Sequence, residues 1–258
     1  MPQTKIVFFD IDGTLIDMQA KKITPKMLET LHRLQDRGIK ICIATGRSPM
    51  ALPKIDGVAF DAYLTFNGSL CYDRKGVIFS NPIPHKDVVR FIQNAAALGR
   101  PVCVSTRDRL AANGTDTDLT DYFFIANEPV PVADDFDAVC AEDIYQLMLG
   151  CRPKDYPALL DGAPGAKIAA WWDRAVDVIP AGGGKGIGIE KMLAYYGLDK
   201  AEALAFGDGN NDREMLQAVG TGVAMENGSP ELKAIADEIC GPVYEDGIYH
   251  YCADKGLI

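Results

Sequence analysis

Three short apolar runs, far apart in the chain, each stop abruptly at polar residues. KIVFF (5–9) ends at Asp10, IKICIA (39–44) at Thr45-Gly46-Arg47, and ALAFG (203–207) at Asp208. Runs of this length, rich in β-formers, suit strands buried on both faces inside a parallel sheet. Between the first two, Thr24-Pro25 opens a helix, with Thr as N-cap and Pro at the first helical position. Met27, Leu28, Leu31 and Leu34 recur at helical spacing, and Gly38 supplies a stop. Strand, helix and strand make a β-α-β unit, and such crossovers are right-handed. Open parallel sheets bind ligands outside the carboxyl ends of their strands. The fold is therefore expected to bring Asp10, Thr45 and Asp208 to one edge.

The α/β pattern has an interruption. Residues 61–66 predict a third strand, and Asn67-Gly68 is a hairpin signal leading into SLCYD. From about 84 to 181 the pattern changes. A helix near 86–98 and short strands near 101–105, 144–150 and 167–171 lie among many Pro, Asp and Gly turns, which predicts an α+β insertion. Of Trp171-Trp172, after an apolar strand, one ring is expected in the core and the other is a candidate pocket lining. The α/β rhythm then returns with a helix over 184–196, the strand 203–207, a helix over 212–219 and a strand over 221–225. Ser229-Pro230 opens another helix. Linkers near Asn81–Pro84 and Ile179–Gly183, stiffened by prolines and hinged at Gly182-Gly183, would make the insertion a lid.

Composition narrows the function class. A chain of 258 residues, 48% hydrophobic, has material for one large or two modest domains with a real core. Its net charge of −10 and lack of a Lys/Arg block argue against a nucleic-acid partner, which needs a basic face. Phosphate can still bind where a few cations and backbone N–H groups converge. The seven cysteines are irregularly spaced without C-x-x-C, mostly in apolar runs, and are expected as buried reduced thiols. That pattern and the short N-terminal apolar stretch fit a cytoplasmic protein. No run reaches membrane-spanning length, so no membrane partner is expected.

The polar clusters carry the chemistry. Asp10 and Asp12 in DIDGT are two apart, so in extended chain they face the same way, and Gly13 permits the turn that follows. Paired carboxylates repel unless a cation or proton separates them, which suits one to attack beside a metal and the other to carry a proton. A solvated loop is the rival for the pair alone. GDGNND (207–212) follows a strand and precedes a helix, and its oxygen ligands suit a hard cation such as Mg2+. The helix REMLQAVG that follows excludes a twelve-residue calcium loop. Thr45 offers a hydroxyl and nearby N–H groups to a phosphoryl oxygen. Lys185, in AGGGKGIG, offers a cation at a helix start. The sequence has neither a P-loop nor a G-x-S-x-G nucleophile motif. His32, His85 and His250 are scattered and read as structural or surface residues.

DIDGT, the Thr of ATGR, Lys185 and GDGNND, in this order, resemble the four motifs of the haloacid dehalogenase superfamily. The insertion between the second and third motifs resembles its type IIB cap, and Asn67-Gly68 with GDGNND is most similar to the Cof-type sugar phosphatase branch. The resemblance spans nearly the whole chain. It implies a Rossmann-like parallel-sheet core of residues 1–82 and 182–258 with an α+β cap of residues 83–181. It implies that Asp10 is the nucleophile and that Asp12 is the acid and base. Mg2+ would be held by Asp10, the backbone carbonyl of Asp12, and Asp208. Asn211 and Asp212 would support the metal shell or orient Lys185, and Thr45 and Lys185 would hold the phosphoryl group. Gly46, Arg47 and Asn67 would lie near the phosphate. The implied partner is a small phosphorylated metabolite, and the implied state a monomer or homodimer.

Rival readings differ in what they require. A phosphomutase on the same scaffold would need a bisphosphorylated activator. A phosphorylated signalling receiver would have about half this length and no large insertion. A non-catalytic metabolite-binding protein would be expected to lack part of the motif set, which is complete here. In the cap, Arg107, Arg109 and Asn113 are the polar residues able to reach a sugar, against a surface role for each.

Overall fold

The structure, a computed structural model, describes residues 3–125, 127–170 and 172–258. Trp171 lies outside the described residues. The chain runs β1 (Ile6–Phe9), α1 (Pro25–Asp36), β2 (Lys40–Ala44), β3 (Ala62–Thr65), β4 (Leu70–Asp73) and β5 (Gly76–Ser80). It continues with α2 (His85–Ala97), β6 (Cys103–Ser105), β7 (Leu110–Ala112), α3 (Thr117–Phe124), α4 (Phe136–Val139), β8 (Gln146–Gly150), α5 (Tyr156–Leu160), β9 (Ala166–Ala169) and β10 (Ala175–Pro180). It ends with α6 (Lys185–Tyr196), β11 (Ala203–Gly207), α7 (Arg213–Ala218), β12 (Thr221–Met225), α8 (Pro230–Lys233), β13 (Glu238–Cys240) and α9 (Gly247–Asp254).

These elements form two compact units. One comprises Met1–Gly46, Pro53–Ser80 and Gly184–Ile258; the other comprises Arg47–Leu52 and Asn81–Gly183. The first holds an eight-stranded sheet in the order β13-β12-β11-β1-β2-β3-β4-β5. Neighbours from β13 to β3 are parallel, and β4 and β5 add antiparallel at one edge. All four residues of β1 are fully buried, as expected for a central parallel strand covered on both faces. Ile6 and Phe8 pack with Ile189, Met192 and Leu193 of α6 and Met215 and Leu216 of α7. Phe9 stacks on Phe206, whose ring meets Tyr251 of α9 edge-on. Asn67-Gly68 does fall in a β3–β4 hairpin, but the link is a 3-10 turn over Phe66–Gly68, with Phe66 and Asn67 both in left-handed backbone.

The second unit holds an antiparallel sheet in the order β7-β6-β8-β10-β9. One of its faces packs on α2, α4 and α5 through Phe91, Phe136 and Leu159, and the other on α3 through Leu119 and Phe123. Its long stretch runs Asn81–Gly183. Ile83 N–H donates to Ile144 O at 2.7 Å and Ala181 N–H to Gly165 O at 2.8 Å, which fastens both linker segments to this unit. Arg109 and Asn113 are engaged within it. Arg109 forks onto Asp135, and Asn113 Oδ1 accepts the Val102 N–H at 2.8 Å. Arg107 Nε lies 3.9 Å from Asp108 Oδ1. No helix among the described residues is long and apolar enough to cross a membrane.

Candidate active site

Because β1 lies between β2 and β11, the residues just past their carboxyl ends stand side by side. Asp10 still donates its N–H to Phe206 O at 3.0 Å, so it continues the ladder with its side chain buried. Thr45, likewise past β2, donates to Leu64 O at 2.9 Å and accepts from Asn67 N–H at 3.0 Å. Asn67, buried in its left-handed turn, lies so close to Gly46 that a Cβ on that glycine would come within 3.1 Å of its Nδ2. Asn211 Nδ2 donates to Asn67 Oδ1 at 3.1 Å. Thr45, Gly46, Asn67 and Asn211 thus form one contiguous wall.

Lys185 reaches this edge from the start of α6. A Cβ on Gly68 would meet Gly184 O at 2.2 Å, and one on Gly184 would meet Glu214 Oε2 at 1.9 Å. Only glycine lets the helix start pack this closely. Lys185 is only 1% exposed. Its Nζ donates to Asp10 Oδ1 at 2.6 Å and to Asp212 Oδ1. The other oxygen of Asp212 accepts the N–H groups of Asp208 and Gly209 at 3.0 and 2.9 Å. Asp208, half-buried, accepts from Thr14 Oγ1 at 2.9 Å. Gly13, with φ of 80°, presses against it, and a Cβ there would lie 2.2 Å from Asp208 Oδ2.

Asp10, Asp208 and Asp212 each offer an oxygen within 4.8 Å of the others. Asp12 is half-buried beside them, and its carboxylate is not in that group. Arg47 falls in the other compact unit, where its Nη1 donates to Ala51 O at 2.9 Å. Two residues with no expected role also bind the loops. Thr14 fixes Asp208, and the exposed Asn227 donates its Nδ2 to Gly13 O at 2.8 Å. A hydroxyl directly after the DIDG turn was a usable signal for the first; the second reads only as an Asn-Gly turn.

Electrostatics follow from this packing. Burial pushes the Asp10 carboxyl well above its ordinary value, against the pull of Lys185 and helped by Asp212 and Asp208. Burial likewise, with Asp212 adding, pushes Asp208 up to about 7. For Lys185 burial works the other way, but Asp10 and Asp212 outweigh it and hold the ammonium above its ordinary value. Among the described residues Lys185 is the one buried cation. Three carboxylates against one ammonium leave two negative charges when all are ionised. An all-oxygen site with that excess fits a hard divalent cation.

A family model described as haloacid dehalogenase-like hydrolase matches residues 7–252. The chain is a haloacid dehalogenase-like hydrolase. The hydrolase is 34% identical over 257 residues to YkrA of Bacillus subtilis (strain 168), a phosphatase by assignment, covering 99% of each chain. It is 28% identical over 262 residues to the 5-amino-6-(5-phospho-D-ribitylamino)uracil phosphatase YitU of the same organism, covering 95% of each. Among solved structures it matches BT1666 of Bacteroides thetaiotaomicron, one of the phosphatases of the superfamily, at TM-score 0.92 and 30% identity, covering 99% and 96% of the two chains. It also matches BT4131, a subclass IIB sugar phosphatase, at TM-score 0.85 and 29% identity, covering 99% and 100%. The hydrolase is thus a phosphatase of this family, with a Rossmann-like core and a subclass IIB cap.

Proposed function

We propose that this phosphatase hydrolyses small phosphorylated metabolites, sugar phosphates foremost, through an aspartyl-phosphate on Asp10 with Mg2+ bound. The observation that carries the reading is the buried contact of Lys185 with Asp10 and Asp212, beside Asp208. An oxygen of Asp10 attacks phosphorus, and the bond to the leaving alkoxide breaks. Asp12 gives that alkoxide its proton. Water then attacks the same phosphorus, Asp12 takes its proton, Asp10 is regenerated and phosphate leaves. The Lys185 ammonium pulls Asp10 toward its ionised form against the effect of burial and faces the phosphoryl charge, which Thr45 Oγ1 and the Gly46 N–H also receive. Asn67 and Asn211 brace that wall. Mg2+ would be held by Asp10, Asp208 and the backbone carbonyl of Asp12, with Asp212 in support. Bound there, it would neutralise phosphoryl charge and orient the group for in-line attack.

Sugar phosphates are favoured by the likeness to the BT4131 sugar phosphatase; the name of YitU adds a phosphorylated ribityl compound to the candidates. The test is phosphate release from hexose, pentose and tetrose phosphates, flavin mononucleotide, pyridoxal phosphate, nucleotides and p-nitrophenyl phosphate. Each is assayed with Mg2+ and with EDTA, beside Asp10→Asn. Release should require Mg2+ and fall at least ~10³-fold in the variant. Silence across the panel from folded protein with Mg2+ would overturn the reading.

A further inference from the structure

We propose that Asn227 is a positioning residue for Asp12, an inference that rests on the role of Asp12 given above. Asn227 lies in the loop after β12, remote in sequence from DIDGT. Its Nδ2 donates to Gly13 O at 2.8 Å, and its Oδ1 accepts the Val243 N–H at 2.9 Å. Gly13 and Val243 are buried whereas Asn227 is exposed. One carboxamide therefore closes over two buried backbone groups from separate parts of the fold, and each would carry a desolvation penalty if left unpaired.

The residue it grips is the one in the loop with the fewest steric limits on its backbone. Gly13 has no side chain and a left-handed φ of 80°, so hydrogen bonds must limit its two flanking peptide planes. Its N–H donates to Ile16 O at 2.9 Å within the turn. Its carbonyl is taken by Asn227. Without that bond, the second plane is held through its other end alone, where Thr14 N–H donates to Ile11 O at the long distance of 3.3 Å, and the aim of Asp12, one residue earlier, is loosened. Asp208 has anchors besides Thr14. Its carbonyl accepts Ser229 N–H at 2.9 Å and its N–H donates to Asp212 Oδ2. Loss of Asn227 should therefore fall on proton transfer by Asp12 more than on the carboxylate cluster.

Leaving-group chemistry separates these effects. A sugar alkoxide needs a proton as it departs, whereas p-nitrophenolate leaves without one. In Asn227→Ala, kcat/KM for the fastest sugar phosphate of the panel should fall about 30- to 100-fold, and for p-nitrophenyl phosphate no more than about threefold. Asn227→Asp keeps the size and the acceptor for Val243 but has no donor for Gly13 O, so it should behave like Asn227→Ala. Melting curves of both variants establish that they fold. Equal loss on both substrates, no loss, or wild-type behaviour of Asn227→Asp would each overturn the proposal. Failure of the function reading is separate, because the wild type would then be inactive on the panel.

Discussion

Lys185 carries a full charge in the interior because two carboxylates share it. Removing it in Lys185→Met leaves Asp10 and Asp212 buried without a cation. Stability in EDTA should drop by about 3–5 kcal/mol, as read from urea midpoints, and Mg2+ should restore part of it. Turnover with Mg2+ should fall at least ~100-fold. Asp208 gives a pH signature. Its carboxyl ionises near 3.8 when unfolded and is raised to about 7 in the fold. Between those values the native state holds a proton that the unfolded state has lost, so this group's contribution to metal-free stability declines as pH rises. In EDTA, Asp208→Asn should melt above the wild type at pH 8, and the gap should close toward pH 5. The carboxylates and Lys185 were legible because each ends or begins a recognisable element. Thr14 showed only as a hydroxyl after the DIDG turn and Asn227 only as part of an Asn-Gly turn, because their worth lies in contacts to residues 194 and 214 positions away.

Elements were readable where cap and periodicity agreed. Thr24 caps α1 as expected, its Oγ1 accepting from Met27 N–H at 3.1 Å, and it also donates to Asp246 Oδ1 at 2.5 Å. Thr24→Ala should lower stability by about 1–2 kcal/mol in a urea titration, and Thr24→Ser by no more than about 0.5 kcal/mol. The strands that escaped the reading fail in physical ways. β10 carries Asp177 within a buried strand, which reads as a turn residue until Tyr122 Oη is found donating to it at 2.7 Å. β7 and β13 are three residues each, too short for alternation to register. The cap signal Ser229-Pro230 was correct, but α8 lasts only four residues, since capping fixes where a helix starts and packing decides its length.

Across the whole molecule, all seven cysteines are buried and unpaired. Burial pushes Cys140 and Cys151 up to about 11 and Cys71, Cys103, Cys240 and Cys252 up to about 12, with Cys42 raised further. A thiol-reactive dye at pH 8 should find no fast thiol in the native protein and seven after denaturation; a fast native thiol would contradict this. The division into two units, one interrupted by the other, also sets a sequence of events during synthesis. Thr14 and the Asp208 it holds are 194 residues apart, so at 5–20 residues per second the ribosome needs roughly 10–40 s between them. Until β11 emerges, β1 has a neighbour on one side only. The residues that will sit at the centre of the sheet begin life as its bare margin, and the inserted unit has its five strands complete before that margin is covered.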